Sequence, residues 1–167
     1  MMQGAHNADN IWHSQLRAYV YSKLTYDFDE TAYANGADAY VQSLVTEYLN
    51  VYYGEYADEV QSVIDYYQDV YASKTVNDNG SSSPAALLTT SNHSAAFRKV
   101  SSSYEACTDA VLKQRLAAVL ASCYAGQYEA TTYGYQKEAM HATLKEYCDA
   151  AGITMWSEGL TVAEVCA

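Results

Sequence analysis

The sequence predicts an all-α fold, a single-domain antiparallel bundle of about six helices. Three observations predict it. One proline and eight glycines in 167 residues leave little to interrupt a helix. Apolar residues recur at three- and four-residue intervals, the spacing of one helix face. Capping residues stand at the ends of several of these periodic runs.

Residues 1–10 show no period and read as an irregular lead-in to a helical domain spanning 11–167. From Ile11, the residues Trp12, Leu16, Tyr19, Val20 and Leu24 mark the first helix, with Asp9 or Asn10 placed as its N-cap. The second carries Ala37, Tyr40, Val41, Leu44, Val45, Tyr48, Leu49 and Tyr52, and Gly54 closes it. A third follows at once, with Tyr56, Val60, Val63, Ile64, Tyr67, Val70 and Tyr71 on one face. Residues 75–93, rich in Asn, Asp, Gly and Ser around Pro84, then read as a flexible surface loop between two helical halves. Asn79-Gly80-Ser81 and Asn92-His93-Ser94 match the glycosylation pattern there, a weak signal without a secretory context.

The second half resumes with Phe97, Val100, Tyr104, Cys107 and Val111, with a break near Thr108 and Asp109. Leu112, Leu116, Val119, Leu120, Cys123 and Tyr124 make a fifth helix. Met140, Leu144, Tyr147, Cys148 and Ala151 make a sixth, which Gly152 stops. Ile153 to Trp156 form a short extended segment. Thr161 with Glu164 makes a capping box, flanked by Leu160 and Val165 as its hydrophobic staple, so a last helical turn closes the chain.

Twenty acids against nine bases give a net charge of -11, and the charge is lopsided. No basic residue lies between Lys23 and Lys74, whereas Asp27, Asp29, Glu30, Asp38, Glu47, Glu55, Asp58, Glu59, Asp65 and Asp69 all do. Such a face repels nucleic acid and anionic membrane surfaces. It reads as a solvated helical face rather than a cation site, and no calcium-loop pattern is present. No apolar run approaches the roughly 18 residues of a membrane span, and no charged-then-apolar leader opens the chain. The sequence therefore predicts neither membrane insertion nor an intact secretory precursor. Cys107, Cys123, Cys148 and Cys166 match no zinc or redox spacing and read as reduced core residues.

Chemistry-bearing motifs are scarce. The sequence has no Gly-x-Ser-x-Gly, no phosphate-binding glycine loop and no His-Glu-x-x-His. The histidines His6, His13, His93 and His141 are not at ligand spacing, and His141 reads as solvent-exposed. No catalytic residue, metal site or cofactor is predicted. Tyrosine, at 18 residues, is the remaining oddity. Most lie on the apolar stripes, but neighbours on a helix point about 100° apart, so Tyr52-Tyr53 and Tyr66-Tyr67 cannot both centre on one stripe. Tyr53 and Tyr66 thus become candidates for a second contact surface, stacking on a sugar or docking on another domain.

Two stretches carry a resemblance. The first is Trp12-His13-Ser14-Gln15-Leu16-Arg17-Ala18-Tyr19-Val20-Tyr21-Ser22-Lys23-Leu24 with the later Tyr52-Tyr53-Gly54; the second is Ala151-Gly152-Ile153-Thr154 leading to Glu158-Gly159. Together they resemble the C-terminal part of a bacterial family of unknown function. Its members join a glycosidase-like (β/α)8 barrel to a helical domain, an architecture similar to that of α-glucuronidases and hexosaminidase-type enzymes. Tyr26-Asp27 stands where that family usually has Trp-Asp. The resemblance implies a non-catalytic C-terminal helical domain that braces the catalytic barrel of the same parent chain and edges its sugar site. It implies an envelope or extracellular setting for the parent. It also makes residues 1–10 the tail of the barrel, with Gln3, His6 and Asn7 as candidate substrate-side residues. The alternative is a stand-alone tyrosine-rich module binding glycans or a protein. Because the chain start would abut the barrel, Trp12 and Tyr19 are expected on an exposed docking face, through which two copies would also pair.

Overall fold

A computed structural model describes residues 11–73, 88–157 and 159–167. The expected all-α helical bundle is what the chain forms. Six long helices dominate: α1 (Ile11–Tyr26), α3 (Ala37–Tyr53), α4 (Ala57–Ala72), α5 (Thr90–Ala106), α6 (Ala110–Ala130) and α7 (Gly134–Ala151). Short pieces join them: α2 (Glu30–Ala34), a 3-10 turn at Gly54–Tyr56, the strands β1 (Met155–Ser157) and β2 (Leu160–Thr161), and α8 (Val162–Val165).

Several ends follow from local chemistry. Asp29 accepts from the Ala32 amide and so starts α2, an element whose apolar content is too small to show a period. Asp109 accepts from the amides of both Val111 and Leu112, breaking the chain between α5 and α6 near the expected Thr108–Asp109 step. At the end of α7, Gly152 adopts φ 74°, and Ile153 donates to Cys148 across it, at 2.8 Å. A left-handed residue closing two such bonds is a Schellman ending, which a side chain would strain. The Thr161–Glu164 capping box is present. Its expected staple differs: Leu160 is an exposed β2 residue, and the buried one is Val162.

Three other expectations need correction. The 75–93 loop is shorter, because Leu88 is buried and Thr89 caps α5 in a reciprocal box with Asn92. Asn92 and His93 therefore sit in a helix, and residues 75–87, with Asn79, lie outside the described residues. The putting of Asn at the third helical position, where Glu or Gln is usual, hid this cap from the sequence pattern. Second, the fifth predicted helix runs on to Ala130. Third, the extended segment expected at Ile153–Trp156 begins two residues later, as β1 (Met155–Ser157), which pairs antiparallel with β2 across a turn at Gly159 with φ 77°.

Helix α6 is the hub, packed on α1, α3, α5 and α7. Its buried residues, among them Ala117, Ala121, Ser122, Cys123, Ala125 and Gly126, surround the axis rather than forming one stripe. Small side chains let neighbours approach on several sides, which is why its second half shows no clear period. One apolar cluster joins α1, α3, α4, α5 and α6 around Trp12, Leu49, Val60, Val63, Val100, Leu116 and Leu120. A second joins α6, α7, the strand pair and α8 around Tyr128, Leu144, Cys148, Ile153, Trp156 and Val162.

Candidate functional site

The densest group of chemistry-bearing side chains lies between α1, α4, α5 and α6. His93, on the first turns of α5, brings Nδ1 within 3.0 Å of the Tyr67 hydroxyl on α4. That hydroxyl is also 3.7 Å from the Cys123 sulfur on α6. One hydroxyl proton cannot serve both partners. A His93 Nδ1–H donating to Tyr67, with Tyr67 donating to Cys123, satisfies all three groups. His13 on α1 meets the Tyr67 ring edge-on at 6.2 Å and lies 3.7 Å from the Trp12 ring. Gly126 makes room for the set, because a Cβ there would collide with the His93 ring.

Burial decides what this group can do. It pushes the His13 and His93 rings down to about 4, with Arg17 adding a smaller repulsion at His13, so both are neutral near pH 7. It pushes the Cys123 thiol up to about 12, and the hydrogen bond from Tyr67 only partly offsets that. A nucleophilic cysteine needs its thiolate, and a general base needs contact with a reacting proton. This Cys–Tyr–His set has neither property and serves as an interior polar network. Among the described residues, no three His, Cys, Asp or Glu side chains converge in a metal-binding arrangement.

A second group sits where α3 meets α6. The Arg115 guanidinium lies 4.0 Å over the Tyr52 ring and donates to the Tyr52 carbonyl, one of the unpaired carbonyls at the end of α3. Tyr52 stacks on Tyr48 at 5.1 Å, and Tyr48 meets Tyr19 at 5.3 Å and Tyr53 at 6.4 Å. The hydroxyls of Tyr48 and Tyr53 are buried and have no hydrogen-bond partner among the described residues. Burial raises both above the usual phenol value. A buried unpaired hydroxyl costs about 1–3 kcal/mol. Tyr53→Phe should therefore leave stability unchanged or raise it by about 1 kcal/mol in urea unfolding; a loss would show that the hydroxyl is bonded.

The sequence-derived candidates fall in different places. Trp12 and Tyr53, each 1% exposed, belong to the core and cannot form a docking or stacking surface. The reasons are tertiary: α1 turns its apolar face onto α3 and α6, and α3 is covered by α1, α4 and α6, so its buried arc is wide enough to take Tyr53 as well as Tyr48. Tyr19 is half-buried, with the Lys23 ammonium 5.9 Å from its ring centre. Tyr66 is half-buried too; its hydroxyl accepts from Asn92 and Lys99 lies 5.6 Å from its ring centre. Tyr19 and Tyr53 meet through Tyr48, whereas Tyr66 stands apart, beside Tyr67. Gln3, His6 and Asn7 lie outside the described residues. His141 is half-buried rather than exposed, its Nε2 3.4 Å from the Tyr128 hydroxyl.

The exposed aromatics are others. Tyr133 and Tyr135, 61% and 69% exposed, stack at 6.0 Å at the start of α7. Tyr26, at the end of α1, and the Phe28–Tyr33 pair on and before α2 are exposed at the joint leading into α3. Both sets lie in helix junctions that carry no periodic pattern, so no stripe singled them out. Among the described residues no helix is long and apolar enough to cross a membrane. Compared with protein-family models, curated proteins and solved structures, the chain matches none.

Proposed function

We propose that the chain is a non-catalytic helical domain of a carbohydrate-active, glycosidase-like protein, bracing a catalytic barrel. The motifs Leu16-to-Leu24, Tyr52-Tyr53-Gly54 and Gly152-Ile153-Thr154 suggest that parent. The observation that carries the non-catalytic part is the interior: burial keeps His13, His93 and the Cys123 thiol neutral, while several large aromatics stay on the surface. The acids give no contrary sign. Asp65 lines a groove of about 250 Å³ between α3 and α4 with Asp58, Gln42 and Gln61, and it accepts from Gln61 at 2.7 Å. Hydrolysis needs one carboxyl held protonated beside an ionised one. Groups this open to water are poorly placed to be driven apart in that way.

A second reading, a tyrosine-rich glycan-binding module, is favoured by the stacked Tyr133–Tyr135 pair, whose exposed ring faces suit a pyranose. A panel of chromogenic glycosides and matching oligosaccharides separates the readings. The bracing role predicts no turnover and no binding. Weak binding lost in Tyr135→Ala would favour the second. Turnover abolished by Asp65→Asn would replace both with an enzyme. Pairing of two copies through a Trp12 face loses its anchor, because Trp12 is inside.

A further inference from the structure

We propose that the junction of α1, α2 and α3 is a docking surface for a basic, arginine-rich protein segment. This goes beyond the bracing role and does not depend on it. Three aromatic rings stay in water there: Tyr26 is 87% exposed, Tyr33 47% and Phe28 43%. Two of them, Phe28 and Tyr33, are held against the fold. The Phe28 ring packs 5.2 Å from Tyr33 and 6.0 Å from Tyr40. The Asp29 amide donates to the Tyr40 hydroxyl at 3.1 Å, pinning the segment to α3. Asp29 also caps α2. Large exposed apolar groups fixed in one place mark a surface that something covers.

Charge names the occupant. Asp27, Asp29, Glu30 and Asp38, on the same stretch of chain from the end of α1 to the start of α3, are all exposed. Lys23, the last base before this stretch, is already engaged, at 2.8 Å from Asp27 and 4.0 Å from Glu47. Asp29, Glu30 and Asp38 have no basic partner among the described residues, and no Lys or Arg occurs from residue 24 to 73. Aromatic faces carry negative quadrupole density, so rings and carboxylates here favour the same guest, a cation with a flat face. Guanidinium fits both, stacking on a ring while its edge pairs with a carboxylate. Nucleic acid and a second copy of this acidic surface are repelled.

The test uses the full chain and three synthetic decapeptides of one sequence, carrying arginine, lysine or uncharged citrulline at the same positions, in about 0.15 M salt where bulk attraction is screened. Calorimetric titration should show the arginine peptide binding most tightly and the citrulline peptide not at all. The double variant Tyr26→Ala/Tyr33→Ala keeps every charge, and its rings are exposed, so it should fold normally yet bind the arginine peptide roughly tenfold more weakly. Asp65→Asn/Asp69→Asn removes two acids from α4 and should change affinity less than about twofold. Undiminished binding by the aromatic variant would overturn the proposal, as would an equal loss in the α4 control, since either would mean attraction to bulk charge. Binding of the citrulline peptide as tight as that of the arginine peptide would overturn the choice of a cationic partner.

Discussion

Trp12→Ala should lower stability by about 3–5 kcal/mol, the range for removing a large buried aromatic from a packed core. The ring is 1% exposed and belongs to the cluster that joins α1 to α3, α4, α5 and α6. Nothing at that position can collapse into the space easily, because Leu16, Leu49 and Tyr53 are already buried around the same core. For a chain of this length each kcal/mol shifts the melting temperature by about 2–4 °C, so a fall on the order of 10 °C is expected by calorimetry. Were Trp12 a docking residue on the surface, the same substitution would leave the melting temperature within a degree or two and change self-association instead. Measuring melting and sedimentation on one sample decides between the two. The variant should also admit water to the adjacent His13 ring, which ties it to the next expectation.

Stability should fall steeply as pH drops from about 6.5 towards 5, before most carboxylates titrate. Both His13 and His93 have an ordinary value of 6.5 that the fold lowers to about 4. Between those values the unfolded chain binds protons that the folded chain refuses. The stabilisation is therefore complete above 6.5 and is lost progressively as the pH falls through 4. At pH 5 the more enclosed His13 contributes a loss of about 2 kcal/mol and the half-buried, partly screened His93 about 1 kcal/mol. Urea unfolding at pH 7.5, 6 and 5 measures this, and His93→Gln should flatten part of the slope. A level profile would mean that both rings reach water. Readings should stay above the isoelectric point near 4.5, where loss of net charge favours precipitation.

Much of this fold was legible along the chain, and the candidate site much less so. The starts of α1 and α3 follow from periodicity, and the stops of α3 and α7 from Gly54 and Gly152, which act within one or two turns. The Thr161–Glu164 box and the break at Asp109 were visible for the same reason: a side chain bonding an amide three residues away is written locally. The helix start at Thr89 used Asn92 instead of the usual Glu or Gln, and α2 was too short for any period.

Only the tertiary structure decided which tyrosines are inside. Period places Tyr53 off the main stripe of α3, but α1, α4 and α6 together cover an arc of α3 wide enough to reach it, and Tyr53 is buried. Trp12 lies on an apolar stripe, and a stripe does not say whether its cover comes from the same chain or another. Here α3 and α6 supply it. The Tyr67–His93–Cys123 network joins Tyr67 to positions 26 and 56 residues away, with Gly126 as the gap that admits the ring. The sequence alone determined the long helices, the Gly54, Gly152, Asp109 and Thr161 ends, and the acid-rich, base-free stretch, because hydrogen bonds within a turn and formal charge are local properties. The packing of α6 against four neighbours determined burial, and with it the neutral histidines, the un-ionised thiol and the aromatics left in water, because desolvation depends on everything around a group.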